Sequence, residues 1–272
     1  MKPTLKSPSK AERVAPPAPT KLAAREPTQT QRTRNNPPCH LLVFGAHPDD
    51  IEFGAGGIIA QETRGGRPVH LVVCSRGEAG THGTPAIRTR EARQAAKILG
   101  ATIEFLELDG DAQLELQAAH ALALADIIRR VQPGLVLAPT TEPNQHPDHW
   151  RLGTLVRDAT RLARYGGLAE LKARPAHTVG QLFFYALSPG SVPAGQPPVV
   201  IDISAPGIVA IWTKSMEAHA SQMQTRNYVE LQLARARVHG LDAGVAYAQA
   251  LYPNDPLVFA SLAPLARGAR RF

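Results

Sequence analysis

The chain has 272 residues, 43% of them hydrophobic and 5% aromatic, with 24 prolines, 22 glycines, two cysteines and a formal net charge of +7. That length suffices for a buried core in one large domain or two; the longest apolar runs are strand-sized, well short of a membrane span, and two cysteines make no disulfide framework. The charge is uneven, because eight Lys and Arg against two Glu in residues 1–36 account for six of the seven positive charges, so the remainder is near neutral and no specific nucleic-acid partner is expected.

Residues 1–36 contain Pro3, Pro8, Pro16, Pro17, Pro19 and Pro27, few aliphatic side chains and no aromatics. Such a segment cannot bury enough surface to offset its ordering entropy and reads as a disordered basic tail. Its prolines interrupt any amphipathic helix of the transit-peptide kind, and no apolar signal core lies near Met1. A cytoplasmic protein with a single domain over 37–272 is expected.

Within that domain the first predicted element is the apolar run 40–45, a buried-type strand, followed by a helix over 51–64 that Gly65-Gly66 stops. A strand over 69–75 leads through Arg76-Gly77-Glu78 to a helix at about 86–99, closed by Gly100. A strand at 102–108, a helix at 114–131 ending before Pro133, a strand at 135–138 and a helix at 151–165 come next. This alternation predicts an α/β fold, a Rossmann-like and mostly parallel sheet flanked by helices with right-handed crossovers. Additional C-terminal strands at 181–187 and 199–203, and helices at about 207–223 and 225–238, complete the prediction.

Two polar motifs follow predicted strands: Ala46-His47-Pro48-Asp49-Asp50 after the first, and His146-Pro147-Asp148-His149 after the strand at 135–138. In an open α/β sheet the strand C-termini share one edge, and ligands bind outside it. Residues far apart in sequence therefore converge there. A catalytic zinc needs three protein ligands and one open position, with imidazole and carboxylate a usual combination. His47, Asp50 and His149 meet that need, which leaves Asp49, His146 and Asp148 for proton transfer and charge stabilisation. The loops carrying Glu78 and Asp109-Gly110-Asp111 fall on the same predicted edge.

The stretch from Ala46 through Asp50 to Ile51-Glu52-Phe53-Gly54-Ala55-Gly56-Gly57, together with His146 to His149, resembles the LmbE-like or PIG-L family of zinc-dependent N-deacetylases. Supporting stretches are Gly80-Thr81-His82-Gly83-Thr84-Pro85-Ala86-Ile87-Arg88 followed by Glu91, and Lys214 with His219-Ala220-Ser221-Gln222. The likeness runs from about residue 41 to about 251. Two positions depart from it: Leu108-Asp109-Gly110-Asp111 stands where the family often has Pro-Asp-Gly, and Gln249 where it often has Glu.

The resemblance implies hydrolysis of an N-acetyl group on an N-acetylglucosamine-type sugar or glycoconjugate, with Zn2+, or another divalent metal such as Fe2+, as cofactor. Zinc held by two imidazoles and a carboxylate lowers the pKa of its water toward about 7. Asp49, one position from Asp50, is the candidate general base. The likeness further implies that His146, as a protonated imidazole, polarises the carbonyl or stabilises the oxyanion, and that Asp148 holds His146 in that state. Arg88, Asp109 and Asp111 are candidate substrate-binding residues. For Arg88 the alternative is a helix-surface salt bridge; for the two aspartates it is an ordinary turn.

Other readings stand beside this one. Gly54 to Gly57 after a strand suggests a nucleotide-binding module, yet Ile59 occupies the third small-residue position and His47 to Asp50 already fill the turn. The glycines read instead as permitting tight packing of the first helix. A non-catalytic carbohydrate-binding protein on the same scaffold, and a zinc hydrolase of another amide or ester, are the functional alternatives. A small N-acetyl sugar or glycoconjugate is the expected partner, no transmembrane segment is expected, and a homo-oligomer is compatible with the sequence.

Overall fold

The computed structural model describes residues 40–143, 146–224 and 227–265. The tail expected over 1–36 and Cys39 lie outside them. In chain order the elements are β1 (Leu41–Gly45), α1 (Asp50–Arg64), β2 (Val69–Val73), α2 (Pro85–Leu99), β3 (Thr102–Phe105), α3 (Ala118–Val131), β4 (Leu135–Pro139), α4 (Pro147–Ala163), β5 (Gln181–Tyr185), β6 (Val199–Asp202), α5 (Ile208–Glu217), α6 (Tyr228–Ala243) and β7 (Ala248–Pro253). The strands form one sheet in the order β3-β2-β1-β4-β5-β7-β6. The first five are parallel to one another, while β7 runs antiparallel to both β5 and β6. The α/β architecture is thus the expected one.

The side-chain alternation of β1 shows why the sheet sits between two helical layers. Leu42 and Phe44 point into a core with Leu124 and Ile128 of α3 and Leu152 and Val156 of α4. Leu41 and Val43 point the other way, into a core with Ile51 and Ile59 of α1, Leu99 of α2 and Trp212 of α5. All four β1 side chains are 2% exposed or less, and each contributes about 1.5–3 kcal/mol relative to exposure.

Helix α1 lies close against its neighbours because it carries no side chain at the contact points. A Cβ on Gly54 would fall 2.1 Å from the Tyr185 ring, and one on Gly56 2.6 Å from Trp212. The glycine run is therefore a packing surface. Gln249 of β7 reaches into the same helix: its Oε1 accepts from Ile58 N at 2.8 Å and its Nε2 donates to Gly54 O at 3.4 Å, so an amide serves both backbone groups where a carboxylate could serve only the donor.

Several element bounds and one strand differ from the sequence expectations; β3 ends at Phe105 and α6 spans Tyr228–Ala243. The helix predicted from 114 starts at Ala118, because Gln117 is extended (φ −113°, ψ 141°) and takes the N-cap position. The one predicted from 151 starts at Pro147, with His146 as its N-cap. The helix predicted over 207–223 stops at Glu217; a separate 3-10 turn, Ala220–Met223, follows, and there Ser221 N and Oγ both donate to Glu91 of α2, at 2.9 and 2.6 Å. Finally, β7 was not expected as a strand and lies between β5 and β6. Among the described residues no helix is long and apolar enough to cross a membrane.

Candidate metal centre

The sheet order reverses between β1 and β4, which makes their shared C-terminal edge the switch point where α/β sheets bind ligands. The His47 motif leaves β1 on one side of that point and the His146 motif follows β4 on the other. Close approach is needed for the second: a Cβ on Gly153 of α4 would lie 2.3 Å from Pro139 O at the end of β4.

The first motif is shaped by Asp50. Its Oδ2 accepts from Ala46 N (2.9 Å) and His47 N (2.8 Å), folding the turn back on itself and leaving Oδ1 beside His149 Nε2 at 3.0 Å. His47 Nδ1 stands 3.4 Å from Asp50 Oδ2 and 3.2 Å from His149 Nε2. Four atoms of the three expected ligands, one nitrogen from each histidine and both Asp50 oxygens, thus meet pairwise at 3.0–3.4 Å. Ligands at 2.0–2.1 Å on a tetrahedral zinc are separated by about 3.3–3.4 Å, so the donor set fits such an ion. A ring nitrogen of His146 lies within 4.8 Å of those of His47 and His149.

Charge confirms the crowding. Burial works against ionising Asp50, yet His149 and His47 hold its carboxyl well below the usual range. Burial likewise works to lower His47, but Asp50, Asp111 and Asp148 together raise it well above its ordinary value. Two of those carboxylates meet the far nitrogen of the ring: His47 Nε2 is 3.0 Å from Asp111 Oδ1 and 3.1 Å from Asp148 Oδ2. A carboxylate on the second nitrogen fixes the tautomer and orientation of a ligating imidazole.

This corrects the expected pairing of Asp148 with His146. Asp148 is 1% exposed; its Oδ2 accepts from Ala112 N at 2.7 Å and meets His47, and the tie to His146 is the reverse one, from Asp148 N to His146 Nδ1 at 3.3 Å. Burial and the local charges work against the protonated imidazole expected of His146. Burial, then the charges of His47 and His149, lower His146 below its ordinary value. Because its Nδ1 accepts a backbone hydrogen bond, the neutral ring carries its proton on Nε2.

Asp49 occupies the N-cap of α1 at φ 113°, a left-handed conformation that costs a non-glycine residue about 1–3 kcal/mol and is characteristic of functional sites. Arg88 braces it. The guanidinium donates from Nη2 to Pro48 O (3.0 Å) and Asp49 Oδ2 (3.5 Å), and from Nη1 to Gly77 O (3.2 Å), with Asp111 Oδ2 at 3.6 Å. Burial and the neighbouring Asp50 push the Asp49 carboxyl up to about 6, against the opposing pull of Arg88, His219 and His47.

A cavity of about 450 Å3 opens onto these groups, lined by His47, Asp49, Asp50, Arg88, Asp111, His146 and His149, and further by Phe53, Thr81, Leu187, Ser188, Gln222, Tyr228 and Gln232. Of the three residues expected to bind substrate, Arg88 and Asp111 lie on its wall. Asp109 does not: its Oδ2 is taken up by His120 Nε2 at 2.6 Å and Glu115 N. The sequence reading missed Phe53 and Tyr228, whose rings are 5.6 Å apart, and the wall formed by Leu187, Ser188 and Gln232. The i, i+4 spacing of Tyr228 and Gln232 is compatible with one helix face, but nothing in their identity marks that face as lining a cavity. Behind the site, buried His219 meets Glu52 at 3.3 Å. Burial would lower this imidazole, but Glu52, with Asp49 and Glu91, raises it.

A family model described as PIG-L, GlcNAc-PI de-N-acetylase, matches residues 42–160. The 4-oxalmesaconate hydratase of Pseudomonas putida is 29% identical over 260 residues, covering 86% of this chain and 96% of that protein. The diacetylchitobiose deacetylase of Thermococcus kodakarensis is 28% identical over 200 residues, 67% of this chain and 69% of that protein. A solved structure of a conserved protein from Thermus thermophilus aligns with a TM-score of 0.72 at 32% identity, covering 82% of this chain and 97% of that one. The match spans both polar motifs and the helices that carry them, and with the likeness to the Thermus structure it shows that this chain belongs to the PIG-L, or LmbE-like, family.

Proposed function

We propose that the protein is a metal-dependent N-deacetylase of an N-acetylglucosamine-type sugar or glycoconjugate, with His47, Asp50 and His149 as the metal ligands. The observation that carries this reading is the placing of Asp49, held in a strained turn beside the converging donors, where burial and Asp50 raise its carboxyl to about 6. Zinc or another divalent ion, when bound, supplies Lewis acidity and a water of lowered pKa. Asp49 takes a proton from the attacking water and returns it to the departing nitrogen, a role for which a pKa close to the working pH is well matched. His146 donates from its neutral Nε2–H to the oxygen on which charge develops. Asp148 and Asp111 hold the His47 ring from behind, and Arg88 holds Asp49.

Hydration of a carbon–carbon double bond is the second reading, supported by the likeness to a hydratase across nearly that protein's whole length. The charge on the cavity wall favours the sugar. Among the described lining residues Arg88 alone carries a fixed positive charge, and it is committed to Asp49 and Asp111, whereas Thr81 and Ser188 offer neutral hydroxyls. A substrate bearing carboxylates, as the hydratase's name denotes, would bring further negative charge beside Asp49, Asp50 and Asp111, with only the bound metal left to meet it.

Acetate release by zinc-loaded protein from a panel of N-acetylglucosamine conjugates tests the proposal, with D49N as control. Release by the wild type and its loss in D49N, with metal retained, supports the reading. No release from any conjugate, together with turnover of an unsaturated carboxylate, transfers the assignment to hydration.

A further inference from the structure

The wall of the cavity that carries none of the proposed catalytic residues is built by α6. Strand β5 ends at Tyr185, and the carbonyls of the next two residues turn to side chains instead of a neighbouring strand. Arg235 Nη1 donates to Ala186 O (3.1 Å) and Leu187 O (3.0 Å), and Gln232 Nε2 donates to Leu187 O at 2.9 Å. The two side chains are locked together, because Arg235 Nη1 also donates to Gln232 Oε1 at 2.8 Å. Gln232 therefore has both ends of its amide engaged by protein, although it borders the cavity with Leu187 and Ser188.

Arg235 makes no ion pair among the described residues, so its partly buried charge is met only by neutral oxygens, and burial lowers its pKa from the usual value. A charge placed this way is expensive to desolvate. The arrangement is explained if a charged donor is needed at one point, Nη1, to hold two successive carbonyls in register. It also lies beyond residues 42–160, the part that matches the family model.

We propose that Gln232 and Arg235 are positioning residues that fix the segment Ala186–Ser188 and thereby set which substrates fit, by placing Leu187 and Ser188 against the portion of the substrate beyond its N-acetyl group. The identity of that substrate, and the choice of sugars in the test, rest on the deacetylase reading. A mobile wall loses the contacts that distinguish one aglycone from another, while the metal ligands and Asp49 stay in place.

The test uses the full-length, zinc-loaded protein as wild type, R235Q, R235K and Q232L. Amide hydrogen exchange over residues 186–191 is measured first, then acetate release from N-acetylglucosamine and from its p-nitrophenyl β-glycoside. R235Q and Q232L are expected to speed exchange in that segment while metal content is kept, and to change the ratio of kcat/KM for the two sugars by about fivefold or more, the order expected for lost pocket contacts. R235K, which keeps a charged donor on a shorter stem, is expected to restore part of the ratio.

Unchanged exchange in R235Q and Q232L overturns the clamp, and faster exchange with an unaltered ratio overturns its role in selectivity. If R235Q does not fold, R235K and Q232L decide by the same two readouts. If the wild type releases acetate from neither sugar, the deacetylase reading fails on its own, and the exchange data still decide the clamp.

Discussion

Replacing Arg88 by methionine keeps an apolar stem and removes a guanidinium whose side chain is 5% exposed. Pro48 O then loses its donor and Gly77 O keeps only Gly80 N at 3.2 Å, while Asp49 and Asp111 lose a positive charge at 3.5 and 3.6 Å. A buried carbonyl left unsatisfied costs about 1–3 kcal/mol, and breaking a buried ion pair costs about 3–5 kcal/mol. The ionic contacts are long and the terms overlap, so the expected loss is about 3 kcal/mol, or about 6–12 °C in Tm for a domain of this size. Urea unfolding at fixed metal load should show a lower midpoint with an unchanged slope. Arg88 opposes the rise of Asp49, so its removal moves that carboxyl above about 6, and the acid limb of the kcat profile shifts to higher pH. A wild-type midpoint and an unmoved acid limb would remove the bracing role from Arg88. A rise in KM alone, with kcat intact, would return it to the substrate-binding role expected from the sequence.

H149A should lose metal and activity together, since it removes one corner of the donor set; stoichiometric metal by elemental analysis in an inactive variant would contradict its assignment as a ligand. Metal uptake must displace the proton that Asp50, Asp111 and Asp148 stabilise on His47, so affinity should rise with pH. In the metal-free protein the stabilisation from protonated His47 is complete below its ordinary 6.5 and lost as pH rises through the raised folded value. That from ionised Asp50 is complete above 3.8 and lost as pH falls through the lowered one; a urea midpoint that stays flat from acid to alkaline pH would disprove both. G54A places a Cβ 2.1 Å from the buried Tyr185 ring, whereas G166A meets nothing within 4 Å. The first should cost about 1–3 kcal/mol or more from overpacking, and equal unfolding midpoints for the two would show that α1 is not tightly seated.

The parallel half of the sheet and the convergence of the two histidine motifs were legible in the order of residues along the chain. Apolar runs such as Leu41 to Gly45 and Leu135 to Pro139, alternating with helical periods, allow few other topologies, and in a parallel sheet every strand end falls on one edge. Strand β7 was not legible. Ala248-Gln249-Ala250-Leu251-Tyr252-Pro253 has no β-branched residue, and its pairing comes from β5 and β6, distant in sequence. Tertiary structure also chose between Asp109 and Asp111, because both sit in one turn and only the packing around His47, Arg88 and His120 sends one carboxylate inward and the other to the surface. The same holds for Asp148, placed on His47 and not on its sequence neighbour His146. Residue identity states which groups can accept a proton or a metal; which of them meet is set by side-chain directions across elements, and those exist only once the sheet and helices have packed.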